Sequence, residues 1–168
     1  MMKAIKQLKR LLLLLCLMVA GSDAMWATTY TYVGEYPDDN GNRYYVYSYV
    51  SSFGLTSGMT CYTASLKAIN ATGDVVIPKY LPSSSHSAQV SAVGWWYDHE
   101  QAEDITCTTS MTSLTFEGAL TVYGNFTLSN LNGTLTFNGG TLKSDATLNI
   151  PNVTTLTMKG GVLYGYQV

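Results

Sequence analysis

The densest run of ionisable side chains is Asp98-His99-Glu100, followed closely by Glu103-Asp104. Carboxylates beside an imidazole are donors that a divalent cation takes. A closed site needs its ligands held rigidly, and here one histidine and several acids share a stretch that reads as loop. The run is therefore read as a solvated acidic loop, with no metal. His86 lies in the Ser-rich segment 81–88 and reads as a solvated side chain. The chain has no Gly-x-Ser-x-Gly elbow, no His-Glu-x-x-His, no Cys-x-x-Cys and no glycine-rich phosphate loop. A β-helix polysaccharide lyase would need clustered acids for calcium and a basic proton acceptor. From residue 113 onward the acids are Glu117 and Asp145 and the bases Lys143 and Lys159, too dispersed for that site. No catalytic residue and no cofactor is expected, and the chain is not read as an enzyme.

Contact chemistry is better represented. Trp95-Trp96-Tyr97 is the candidate contact surface. Three adjacent aromatics cannot all point into a thin core, and exposed aromatics beside polar groups offer large area at low entropy cost. The alternative is that the segment folds back over a tyrosine ladder. Alternation in the run 43–50 puts Tyr45, Tyr47 and Tyr49 on one face and Tyr44, Val46, Ser48 and Val50 on the other. Tyr30 and Tyr32 offer a matching ladder. Asp38-Asp39-Asn40-Gly41-Asn42 has oxygen donors at intervals, but its glycine comes too early for a calcium loop, and it reads as a hairpin turn. Cys61 and Cys107 are a candidate disulfide or a pair of buried thiols. Four Asn-x-Ser/Thr sequons occur, at Asn70, Asn125, Asn132 and Asn152.

These residues must be positioned by strands. Of 168 residues, 46% are apolar and 12% charged, the balance of a folded chain. Lys3, Lys6, Lys9 and Arg10, the apolar run Leu11 to Ala20 and the small residues Ser22 and Ala24 read as a signal peptide over 1–24. Its apolar run is about ten residues, and a membrane-spanning helix needs about 18 or more. The expected product is secreted or cell-surface, with no transmembrane span. Residues 25–168 carry 5 basic and 10 acidic residues. That net charge and the scattered bases exclude a nucleic-acid partner.

From residue 113 the chain repeats. Ser113-Leu114-Thr115-Phe116 returns as Thr134-Leu135-Thr136-Phe137 and as Thr155-Leu156-Thr157-Met158, with leucines 21 residues apart. Leu120, Leu142 and Leu163 form a second expected column, and Phe126 with Leu148 a third. Stacking explains such a period: one coil cannot bury its apolar edge, whereas stacked coils place like over like. The fold class expected is all-β, a tyrosine-rich antiparallel sheet over 25–82 followed by a short leucine-rich-repeat-like β-solenoid over 83–168. An uncapped C-terminal coil suggests self-association.

Thr72-Gly73-Asp74-Val75-Val76-Ile77-Pro78, then Val90-Ser91-Ala92-Val93-Gly94, then Met111-x-x-Leu114-x-Phe116 resemble the BspA-like leucine-rich repeat surface proteins of bacteria. The chain departs where Trp95-Trp96 stands in place of the family's Ala-Phe, and beyond residue 119 it looks all-β. The resemblance implies a non-enzymatic adhesion or binding module for a host or matrix protein or a glycan. The alternatives are a structural stalk or fragment of a longer array, and a carbohydrate-binding or carbohydrate-active β-helix protein.

Overall fold

A computed structural model describes residues 29–51, 58–81, 87–142, 146–160 and 162–163. The signal-peptide reading, Cys16, His86, Lys143 and Asp145 lie outside the described residues. The chain divides into two compact units. In the one that takes in residues 50–59, the Gly58 N–H bonds the Ser51 carbonyl and the Ser51 N–H bonds that of Met59. The other, residues 30–49 and 60–168, carries the architecture described below.

Among the described residues the structure is all strand and turn, with no helix. The tyrosine-rich runs form β1 (Thr31–Pro37) and β2 (Arg43–Val50), paired antiparallel. β-branched and aromatic side chains favour this pleated conformation. The turn between them uses Gly41 at φ 80°, a backbone shape that costs glycine nothing. β3 (Thr60–Ala68) follows and lies beside β2.

Among the described residues the strands from β4 onward pair in parallel, apart from one hairpin and an isolated antiparallel bridge between Tyr80 and Gln89. β4 (Gly73–Ile77), β5 (Gln89–Val93) and β8 (Ile105–Cys107) belong to three different sheets, with the hairpin β6 (Trp95–Trp96) and β7 (Gln101–Ala102) between the last two. β9 (Met111–Phe116), β10 (Leu120–Val122) and β11 (Phe126–Leu128) visit the same sheets in the same order. So do β12 (Leu131–Phe137), β13 (Gly140–Leu142) and β14 (Leu148–Asn149), and then β15 (Thr155–Met158) and β16 (Val162–Leu163) begin again. The sheet orders are β15-β12-β9-β4, β14-β11-β8 and β1-β2-β3-β5-β10-β13-β16.

Apolar columns explain the register. Val75, Leu114, Leu135 and Leu156 are successive parallel partners, as are Ile77, Phe116, Phe137 and Met158. The rings of Phe116 and Phe137 stack 4.9 Å apart and 6° from parallel. Ile105, Phe126 and Leu148 make the third column. The leucine column is buried through Leu135, but Leu156 is 43% exposed, because β15 has no strand on its far side among the described residues.

Two expectations are corrected. The Leu120–Leu142–Leu163 column is offset: Leu142 pairs with Val122 and with Leu163, while Leu120 faces Gly140. The corner into β13 is one residue shorter than the corner into β10, so the period slips locally. Gly140 suits the slip, since a Cβ there would run into the Leu120 carbonyl. The boundary between residues 82 and 83 is crossed by pairing on both sides. β3 pairs in parallel with β5, and β4 with β9, so strands from residues 25–82 and from residues 83–168 share sheets.

Candidate functional site

Outward residues of the longest sheet carry the aromatic ladder, and the hairpin β6–β7 lies on it. Gly94, at φ 64°, turns the chain out of β5; its N–H bonds the Leu66 carbonyl and its own carbonyl accepts from the Glu103 N–H. A side chain at Gly94 would collide with the Glu103 carbonyl, so the neck of the hairpin closes only around glycine. Trp95 pairs with Ala102 and Trp96 with Gln101.

Hydroxyls of the underlying strands fix the hairpin. The Trp95 N–H donates to the Ser65 Oγ at 2.9 Å, and the Tyr97 hydroxyl bonds the Ser91 Oγ at 2.7 Å. Ser91 in turn bonds Thr63. The rings then interlock. Tyr97 lies 4.5 Å from Tyr30 and 5.2 Å from Tyr47; Trp96 lies 4.8 Å from Tyr45, edge to face; Trp95 stacks on Tyr123 at 4.2 Å. Tyr45 and Tyr47 are buried beneath this cover, while Tyr44 and Val46 on the opposite face enter the main core. Burial pushes the Tyr47 phenol well above its ordinary value, and burial raises those of Tyr30, Tyr97 and Tyr123 as well.

The segment Trp95-Trp96-Tyr97 thus does fold back over the ladder, and Tyr97 is a structural clamp. Neither tryptophan is fully buried: both are half-buried. Trp96 lines a groove of about 360 Å³ together with His99, Gln101, Ala102 and Glu103. The Trp96 Nε1–H donates to the Glu103 Oε2 at 2.6 Å. His99 tilts against Trp96 with centroids 5.4 Å apart, and its Nε2 is 3.6 Å from the Asp98 carboxylate.

An ion cluster on the same ladder escaped the sequence reading. The Lys67 Nζ is 2.8 Å from the Glu35 Oε2 and 4.6 Å above the Tyr45 ring, and Arg43 pairs with the other Glu35 oxygen. The bonded Lys67 ammonium, with Arg43 beside it, holds the Glu35 carboxyl below the usual range. The signal was present: Thr63, Ser65 and Lys67 alternate as the outward positions of β3, and the lysine falls level with a tyrosine.

Other sequence candidates serve the fold. The Asp38 Oδ1 accepts the N–H groups of Asn40 and Asn42, and its Oδ2 accepts from the Asn42 amide and the Tyr44 hydroxyl, each at 2.9 Å. Asn42 then accepts the N–H groups of Asn70 and Ala71. Both carboxylate oxygens are occupied by donors, so the turn is a clasp between β1–β2 and the β3–β4 corner. Asp104 takes the backbone and side-chain N–H groups of Asn125, and that backbone bond leads in holding its carboxyl below the usual range. No group of three metal-ligating side chains occurs among the described residues. The four sequon amides all donate to the fold: Asn70 to Gly41, Asn125 to Asp104, Asn132 to Asn130 and Asn152 to Ser129.

Cys61 and Cys107 are free thiols, and the disulfide expectation is corrected. The buried Cys107 Sγ lies 3.5 Å from the Ile69 carbonyl, just past the end of β3. Cys61 is near the start of that strand, so about 26 Å of extended chain separates Cys61 from Ile69. A bridge needs Cα atoms within about 7 Å. No helix among the described residues is long and apolar enough to cross a membrane. Comparison with protein-family models, with curated proteins and with solved structures finds no match.

Proposed function

We propose that the chain is a non-enzymatic, secreted or cell-surface binding module, a short leucine-rich-repeat-like β-solenoid of the BspA-like kind that presents an aromatic hairpin to its partner. The observation that carries the reading is the hairpin β6–β7. It interrupts a circuit of strands whose other connections are mostly short corners, and it offers a half-buried indole that lines an open groove beside polar side chains. Connections on a rigid scaffold are where binding residues concentrate. The solenoid reading is supported by the repeated visit to three parallel sheets at a period near 21 residues. Export is supported by the basic and apolar segment 1–24.

Trp96→Ala tests the reading against immobilised matrix proteins and a glycan array, with thermal unfolding run in parallel. Retention of the parent protein, lost in the variant while the fold survives, is the expected outcome. No retention of the parent on either surface sinks the proposal. Amino-terminal sequencing of the exported form should begin near Met25.

A stalk role is the second reading, favoured by the exposed Leu156 and by β14, β15 and β16 each ending its sheet among the described residues. Unpaired parallel edges accept further strands. Sedimentation that stays monomeric across a wide concentration range would remove it.

A further inference from the structure

From the groove beside Trp96 we infer a ligand class: it takes a guanidinium side chain, carried on an exposed arginine-bearing segment of a protein partner. This rests on the binding-module reading and narrows it. Charge is the first argument. Between Lys79 and Lys143 the sequence contains no lysine or arginine, yet it contains Asp98, Glu100, Glu103, Asp104 and Glu117. The hairpin lies within that stretch, and four of those five acids fall between Asp98 and Asp104. Among the described residues, ion pairs engage Lys67 and Arg43 with Glu35, leaving Glu103 without a basic partner.

The second argument is an internal precedent. On the same ladder the Lys67 ammonium sits over the Tyr45 ring with the Glu35 carboxylate beside it. Trp96, which packs against that same Tyr45, pairs an aromatic ring with the Glu103 carboxylate held at its indole edge. Trp96 and Glu103 thus repeat the aromatic–carboxylate combination that binds a cation within the protein, in a groove open to solvent. Trp is the strongest cation–π partner. A planar guanidinium can lie on the indole and still donate to Glu103 and to the Gln101 amide oxygen, which an ammonium cannot do as well. His99 lines the groove on the turn side, with the Asp98 carboxylate beside it.

The test uses the full chain and four probes: a short arginine-rich peptide, an oligolysine of equal length, a neutral Gly-Ser peptide and a neutral oligosaccharide. Binding is followed by the Trp96 indole N–H resonance, assigned by its loss in Trp96→Phe. The arginine peptide should shift that resonance and bind more tightly than oligolysine, with little response to the Gly-Ser peptide. Glu103→Gln keeps an oxygen for the Trp96 N–H, so the hairpin stays closed. It should weaken the arginine peptide about tenfold, the loss expected of one charge-assisted contact. Asp74→Asn makes the same change in net charge elsewhere and should leave affinity unchanged. Equal weakening by Asp74→Asn and Glu103→Gln would reduce the effect to net charge and overturn the site. An oligosaccharide response without a peptide response would overturn the guanidinium while leaving the binding module standing. If no probe moves Trp96 and the parent is retained on no surface, both readings fall.

Discussion

At the residue scale, Asp38 shows how a motif that suggests a cation becomes a piece of framework. Its carboxylate gathers four donors, and Asn42 passes the connection on to Asn70 and Ala71. Asp38→Ala leaves the Tyr44 hydroxyl, the Asn42 amide and two backbone N–H groups without that acceptor. Urea unfolding should record a loss of about 3 kcal/mol, the scale of several buried donors left unmet. Asp38→Asn keeps the Oδ1 acceptor and should lose less. The tyrosines set a second, alkaline sensitivity. Burial favours the neutral phenol of Tyr47, and burial aided by the Asp38 charge does the same for Tyr44. The unfolded chain therefore releases those protons first, near the ordinary tyrosine value of about 10. Stability is intact below that pH and falls as pH rises through the elevated folded values. Melting temperature should decline above about pH 10, and Tyr47→Phe should flatten the decline. An unchanged slope in the variant would mean that the ladder is already wetted.

At the element scale, the columns separate leucines that look alike in sequence. Leu135 is fully buried with Leu114 and Leu156 as its parallel partners, whereas Leu156 is 43% exposed. Leu135→Ala should cost about 2–5 kcal/mol, since the strands on either side cannot close on the gap. Leu156→Ala should cost less, about 1 kcal/mol, because close to half of its surface stays in water and it leaves no closed cavity. Similar losses at both positions in chemical denaturation would show β15 to be covered in solution. The contrast also marks what was legible. The 21-residue spacing of Leu114, Leu135 and Leu156 is local and appears directly as a pattern. Their unequal burial is a property of the stack's end, which no period encodes. The offset of Leu120 was illegible for a related reason: Leu120, Leu142 and Leu163 match by spacing, but corner lengths set the register, and only the Gly139-Gly140 pair hinted at a short corner. The hairpin was half legible. Three adjacent aromatics announced a special segment, but its docking on Tyr30, Tyr45 and Tyr47 is a contact between distant parts of the chain.

At the scale of the whole molecule, strands that pair in parallel only with their neighbours in each sheet should make stability largely a sum of neighbour terms, so it should vary along the sheets. β9 is flanked by β4 and β12, and β12 by β9 and β15, whereas β15 ends its sheet among the described residues. The core follows the same gradient: Leu114, Phe116 and Leu135 are buried to within a few per cent, and the β15 residues are half-buried or exposed. At the other end of the long sheet, β1 and β2 extend the stack, fixed by the Asp38 clasp and covered by the hairpin. Opening should therefore begin at β15. Native-state hydrogen exchange should find the slowest amides in β9 and β12, around Leu114, Thr115 and Leu135. Thr155 to Met158 should exchange through local opening that low denaturant hardly alters, while the β9 amides exchange only by opening the whole unit. Breaking the clasp with Asp38→Ala should speed exchange in β1 and β2 before it reaches β12. Equal protection across β9, β12 and β15 would mean that the stack opens in one step, and the sum of neighbour terms would no longer describe it.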